Sequence, residues 1–389
     1  MQATEGRQMM RFSRLLAGLA TAWLLPQPAV ADGYSDFNQC KFIGEASHAD
    51  QNIAACDRVL ADPRVTGPDR AAAFSNRCGW WWAGKDLDRA LPDCNAAIQL
   101  DRFQAAAYVN RGNIYLNKGD VDRAFGDFNE AIRVDPGSAW AYSARGELYQ
   151  SKGDAEHALA DFSLSIRLDP NYALAYFYRS QSYKGQGDFE RALVDLDRSI
   201  RLDPNDARAY FARGGIFYIM GNQAGALTDF TKSIKLAPDN AAAYFNRGVS
   251  YFVVGGRIAD AQADFRRTTE LNPGDAYAAL WLDLAQRQNG VPSQLSEAVK
   301  RLDMNAWPAA IIRRFLGQLS AAQAIAAARD PDPATRLGES CEANFYSGEF
   351  ALQTGNKTEA QRLLRQAASD CPRNFIESTA AIAELIAQR

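Results

Sequence analysis

Six cysteines and two histidines are the residues of this chain best suited to redox or metal chemistry. Cys40 and Cys56 stand sixteen residues apart, as do Cys78 and Cys94, while Cys341 and Cys371 stand thirty apart. No Cys-x2-Cys pair occurs, and neither His48 nor His157 has cysteines at ligand spacing, so the spacings exclude a zinc site. Gly185-Gln186-Gly187 follows a helical pattern with no strand before it, which makes it a helix-ending turn rather than a phosphate loop. The abundant aspartates and glutamates fall at helical spacing on solvated faces. No catalytic residue, metal ligand or cofactor is expected, and the chain reads as a non-enzyme.

Two other charged types recur with great regularity. Arginine stands at Arg77, Arg111, Arg145, Arg179, Arg213 and Arg247. Aspartate follows sixteen residues later at Asp93, Asp127, Asp161, Asp195 and Asp229, and seventeen later at Asp264. Such a ladder is either a charged ligand surface or a set of ion pairs, each tying one helix to the next. One-for-one repetition of both signs favours the ion pair, which specifies geometry more than it stabilises.

The elements that must position these residues are set by proline. Pro136, Pro170, Pro204, Pro238 and Pro273 recur at steps of 34, 34, 34 and 35 residues, each closing a similar phrase such as Leu168-Asp169-Pro170. Each unit holds two apolar-periodic stretches of about 13 residues, separated by Gly-Asp or Gly-Asn. Glycine takes the left-handed conformation that ends a helix, Asp or Asn caps the next one, and Asp-Pro stops it. Neither helix buries its apolar face alone, so the units must stack. In the last unit Gly255-Gly256 and one extra residue lengthen the turn, a local loop change.

A 34-residue period is that of tetratricopeptide repeats, and the chain resembles that family closely. Tyr108, Gly112, Tyr115, Ala124, Phe128, Ala131 and Pro136 hold its marker positions in order, and further units follow from Ala139, Ala173, Ala207 and Ala241. A degenerate unit runs from Ala71 to Arg102. The resemblance implies an all-α fold, a TPR α-solenoid: a right-handed superhelix of helix-turn-helix repeats, with extra C-terminal helices. Cys78 and Cys94 then occupy two positions that touch in this fold. Cys40 and Cys56 copy their spacing, and Cys341 and Cys371 lie at the two ends of a helical hairpin. Three disulfides, Cys40–Cys56, Cys78–Cys94 and Cys341–Cys371, are therefore expected, in an oxidising compartment.

The expected divisions are an export signal over 1–31, a degenerate capping hairpin over 36–62, the repeat array over 71–273, closing and linking helices over 274–338, and a repeat-like hairpin with a terminal helix over 339–389. The signal is read from Arg11 and Arg14, the apolar run Leu15–Leu25 and Ala29-Val30-Ala31. Met1, Met9 or Met10 is its start, and no cysteine stands at the cleavage point for lipid attachment. Eleven apolar residues fall short of the roughly 20 a spanning helix needs, and no second long apolar stretch follows. A net charge of −3 and an isoelectric point near 5.6 argue for neither nucleic acid nor an anionic membrane as partner.

Residues 273–389 are similar to the C-terminal half of the bacterial "new lipoprotein" type, a periplasmic repeat adaptor that brings murein hydrolases to a protease. The similarity rests on Leu280-Trp281-Leu282, Phe315-Leu316-Gly317, Asn344-Phe345-Tyr346 and Asn374-Phe375-Ile376-Glu377. It implies a bacterial periplasmic or secreted scaffold that binds proteins or peptides, among them cell-wall hydrolases or proteases. A glycan-binding envelope protein is the alternative. In this fold the ligand lies along the concave face lined by each first helix. There the sequence places Trp82, Val109, Asn113, Leu116, Trp140, Glu147, Phe177, Gln181, Phe211, Tyr218, Phe245, Val249 and Phe252. The partner-binding groove is expected at Trp140, Phe177, Gln181, Phe211, Tyr218, Phe245, Val249 and Phe252. A homodimer through the same face is the rival occupant. The lysine and arginine clamp of carboxylate-binding repeats is missing, with Val109, Asn113, Ser143 and Glu147 in its places.

Overall fold

The turn between the two helices of a repeat shows why glycine precedes an acid or amide there. Gly119, Gly153, Gly187 and Gly221 have φ of 78°, 78°, 76° and 77°, a left-handed backbone that side chains disfavour. The next residue then caps the second helix: the side chains of Asp120, Asp154, Asp188 and Asn222 accept from the backbone N–H three residues on, at 3.0–3.2 Å. The degenerate unit bends at Lys85 instead, with φ 63°, and Asp86 caps in the same way. In the last unit Gly255 and Gly256 both take positive φ, and Arg257 begins the helix without a side-chain cap.

The structure is a computed structural model that describes residues 30–41, 49–372 and 375–387. The expected export signal falls outside these residues except for its last two, Val30 and Ala31, and His48 and Asn374 also fall outside. The chain separates into two compact units, the first ending at Lys118 and the second beginning at Gly119. Among the described residues no helix is long and apolar enough to cross a membrane.

In the first unit α1 (Val30–Cys40), α2 (Ala49–Ala61), α3 (Gly67–Ala83), α4 (Leu87–Leu100) and α5 (Ala105–Asn117) follow one another, each packed on the next. Ile53, Val59, Leu60 and Trp80 fill the space between α2 and α3. Cys40 meets Cys56 and Cys78 meets Cys94, with Cα–Cα separations of 4.6 and 5.4 Å that a disulfide spans.

The second unit opens with α6 (Val121–Val134). Four helix pairs follow: α7 (Ala139–Ser151) with α8 (Ala155–Leu168), α9 (Ala173–Gly185) with α10 (Phe189–Leu202), α11 (Ala207–Ile219) with α12 (Gln223–Leu236), and α13 (Ala241–Val254) with α14 (Ile258–Leu271). Each second helix also packs on the first helix of the next pair, so the core runs continuously through the stack. Inside a pair the helices approach closely because a small residue faces a large one. A Cβ added to Gly146, Gly214 or Gly248 would lie 2.8, 2.9 and 2.8 Å from the rings of Phe162, Phe230 and Phe265. Where Ser180 replaces the glycine, Leu196 replaces the phenylalanine, and both are buried. Cys78 and Cys94 hold the same two positions, so that disulfide stands where other pairs set glycine against a ring. Gly214→Ala is expected to destabilise the protein by about 1–2 kcal/mol through overpacking. An unchanged urea midpoint would show that the ring moves aside without cost.

Beyond the repeats, α15 (Ala276–Gln288) closes the stack. Short pieces follow: α16 (Leu295–Ala298), a 3-10 turn at Val299–Arg301, α17 (Ala309–Phe315) and α18 (Ala321–Ala326). The final elements are α19 (Pro333–Gln353), α20 (Lys357–Asp370) and α21 (Ile376–Ala387). The helix expected from residue 339 begins at Pro333, because Asp332 caps it through the N–H of Thr335 and proline suits a first turn. The α19–α20 pair repeats the array's rules: Gly348 faces Leu364, Gly355 has φ 81°, and Asn356 caps α20. Cys341 and Cys371 stand 5.0 Å apart between Cα atoms. The Trp281 ring lies at 5.2–5.6 Å from those of Phe252, Phe265 and Phe345, so the similarity motifs converge on one core.

Candidate functional site

The arginine ladder is occupied internally. Arg145, Arg179, Arg213 and Arg247 each grip Asp161, Asp195, Asp229 and Asp264 with Nε and Nη2 at 2.7–2.9 Å. In the first unit Arg77 grips Asp93 likewise, at 2.7 Å. The free Nη1 does more: it donates to Asn129, Ser163, Asp197 and Thr231 of the preceding helix pair. One guanidinium thus joins two helices of its own repeat and one of the repeat before. The polar residue two positions after each ladder aspartate is the sequence signal for this third bond, and the pairwise reading missed it. His157 is exposed on α8, and its ring meets the carboxylate of Asp154, which raises its affinity for a proton.

The first helices α7, α9, α11 and α13 carry the residues expected to line a groove. Their surroundings divide them. Tyr218, Val249 and Phe252 are 6%, 1% and 3% exposed, and this corrects the expectation that they meet a partner. The Phe252 ring packs on Trp281 of α15, and α21 packs against α13 and brings its Ala380 and Ala381 into the same core. The Tyr218 hydroxyl donates to the backbone oxygen of Ile376 at 3.3 Å. Phe211 and Phe245 are half-buried and pack on Phe230 and Phe265, at 5.9 and 5.8 Å between ring centres. Phe245 also meets Trp281, so Phe211 and Phe245 support the stack. In the first unit Val109 is fully buried.

The stretch that α21 leaves open is built by α7, α9 and α11. Trp140, Phe177 and Gln181 are half-exposed there, and Glu147 is exposed. The Glu147 carboxyl, the Tyr178 phenol and the Arg208 guanidinium lie close enough to act on one another electrostatically. Crowding by the groove walls raises the affinity of Glu147 for a proton and holds the Tyr178 phenol protonated. Arg208 is anchored by Asp206 at 2.9 Å and lies 5.2 Å over the ring of Phe177. Tyr178 and Arg208 were not singled out from sequence: Tyr178 directly precedes a ladder arginine, and Arg208 stands in the first turn of α11. A carboxylate, a phenol, an amide and a guanidinium around an aromatic ring offer both donors and acceptors beside apolar surface. At the edge of α21 a cavity of about 180 Å³ opens beside Lys184, Gly215, Tyr218, Asn246, Val249 and Ile376, so Tyr218 and Val249, though buried, form part of its wall.

The tetratricopeptide repeat family matches residues 112–153, 141–172 and 180–247. These stretches of the array, residues 112–172 and 180–247, are tetratricopeptide repeats. Such repeats mediate protein–protein interactions. The fold is shared with a chain of the APC/C hetero-tetramer Cut9-Hcn1, at a TM-score of 0.54 and 12% identity, over 66% of this chain and 55% of that one. Two further structures are similar to parts of the tetratricopeptide array. YrrB, a TPR protein with an unusual peptide-binding site, is 23% identical over 51% of this chain and 98% of its own, with a TM-score of 0.39. The pilF protein of Pseudomonas aeruginosa is 16% identical over 67% and 97%, with a TM-score of 0.44.

Proposed function

We propose that this protein is an exported adaptor that holds a peptide segment of a partner protein in the open stretch of its tetratricopeptide groove. The observation that carries this reading is the cluster of Glu147, Tyr178, Phe177 and Arg208 on three consecutive first helices, where α21 does not reach. Side chains of this mixture recognise a peptide by its backbone amides and one anchoring side chain. The three cysteine pairs at bonding distance support an oxidising, extracytoplasmic location. The similarity of residues 273–389 to the periplasmic adaptor supports a partner among cell-envelope proteins, with cell-wall hydrolases and proteases the first to test.

Photo-crosslinking decides between surfaces. A crosslinker at Gln181 is expected to trap the partner, while one at Val194, 66% exposed on α10, is expected not to. Phe177→Ser should weaken capture by about tenfold or more, the loss of one anchoring aromatic, with helicity unchanged. Equal trapping at both positions, or capture of isolated cell-wall glycan in place of protein, would overturn the reading.

A further inference from the structure

A second polar cluster lies away from the groove, among α15, α19 and α21. A cavity of about 380 Å³ there is lined by Arg287, Gln288, Glu349, Leu352, Gln353, Thr354 and Glu384. Glu349 is 3% exposed, and its Oε1 has no hydrogen-bond partner. The Oε1 of Gln353 beside it is also buried and unpartnered, while its amide nitrogen donates to the backbone oxygen of Leu284 at 3.2 Å. Buried polar atoms are normally paired, so two orphaned oxygens lining one cavity call for a donor. Burial and the neighbouring charge of Glu384 both push the Glu349 carboxyl toward its protonated form. Burial acts on Glu384 in the same direction.

The one cation in the wall does not answer this need. Arg287 gives its Nε to Asp283 at 2.6 Å and its Nη2 to the backbone oxygen of Phe315 at 3.2 Å, and its plane lies 5.3 Å from the ring of Phe350. The unanswered groups are therefore two carboxyls and an amide oxygen, all of them acceptors only once both carboxyls are ionised, the state a bound cation favours. The cavity is far larger than the roughly 30 Å³ of a single water, and Leu352 gives it an apolar wall. Among the described residues no cluster of three or more metal-ligating side chains exists, which argues for an organic cation rather than a metal ion.

We propose that this cavity binds a primary ammonium or guanidinium group on a short aliphatic stem, held by Glu349, Glu384 and the Gln353 oxygen. A charge-assisted bond to each carboxylate would remove the mutual repulsion of the pair and satisfy Glu349 Oε1, and a further N–H of the same head group would satisfy Gln353 Oε1. The head group comes either from a small free amine or guanidine or from a lysine or arginine side chain of a protein.

Calorimetric titration of the full chain tests the site with agmatine as the free cation and with an end-blocked Ala-Lys-Ala peptide as the side-chain source. Saturable one-to-one binding of either probe is expected, and the stronger of the two identifies the source. Glu384→Gln should weaken it by about tenfold or more, the value of one charge-assisted bond, and Glu349→Gln should do the same. Acetylating the peptide lysine should abolish its binding. Should Glu349→Gln fail to fold, the half-exposed Glu384 carries the test alone. No saturable binding of either probe, binding unchanged in Glu384→Gln, or binding of calcium chloride but of neither amine would overturn the proposal.

Discussion

Arg145→Ala is expected to destabilise the protein by about 3 kcal/mol, the usual cost of breaking a buried ion pair. The side chains of Arg145 and Asp161 are 21% and 9% exposed, so the aspartate left behind has little water to turn to. The third bond, from Nη1 to Asn129, is lost at the same time and loosens one repeat from the one before. Asp161→Ala should cost a similar amount. The double variant should be less harmful than the sum of the two, because it leaves no unpaired buried charge. Urea unfolding of the four proteins measures the coupling. Strict additivity would show that the grip seen between these side chains contributes nothing, and loss of partner capture in Arg145→Ala at native helicity would return the ladder to the ligand surface.

A pH dependence of similar size is expected from Glu377, in the first turn of α21. It is almost wholly buried, and Glu342 stands near it; burial first and that charge second raise its pKa from 4.5 to about 7. The Tyr346 hydroxyl meets it at 3.2 Å. Glu342 accepts from the Tyr277 hydroxyl and the Trp307 indole at 2.8 and 2.7 Å, and burial raises it too. Because the folded pKa of Glu377 lies above the unfolded one, the folded state binds the extra proton. Its contribution is complete below pH 4.5 and is lost as pH rises toward about 7. The loss amounts to about 3 kcal/mol at most, counting 1.36 kcal/mol for each unit. In Glu377→Gln this part of the dependence should vanish. If the stability difference between wild type and variant stays constant from mildly acidic to neutral buffer, the buried carboxylate does not titrate as described.

Much of the fold follows from local rules that sequence displays openly. The left-handed glycine, the capping acid and the arginine sixteen residues before its aspartate each act over a few residues or one repeat, so periodicity exposes them. The extra residue after Val254 even moves the ladder aspartate to Asp264, as the spacing required. The groove was legible only in part. Periodicity says which face of a helix points inward, and by that rule Phe177, Gln181 and Glu147 fall on it. It says nothing of what a non-repeating segment will cover. Tyr218, Val249 and Phe252 look like their counterparts on earlier repeats in sequence, and only the closing Trp281 and the return of α21 make them core. The cavity at Glu349 was equally hidden, since one glutamate on α19 and one on α21 share no spacing rule.

The bond from Tyr218 to Ile376 links residues 158 apart in the chain, in a molecule whose other contacts mostly join neighbours in sequence. Repeat stacks assemble from nearby pieces and fray one unit at a time. Here α21 reaches back over α13, so the side of the core at Tyr218 and Val249 is completed only once α21 has folded. A newly made or clipped chain without that helix displays a sticky surface that the finished one conceals. This is the signal by which quality-control chaperones and proteases distinguish incomplete copies from whole ones.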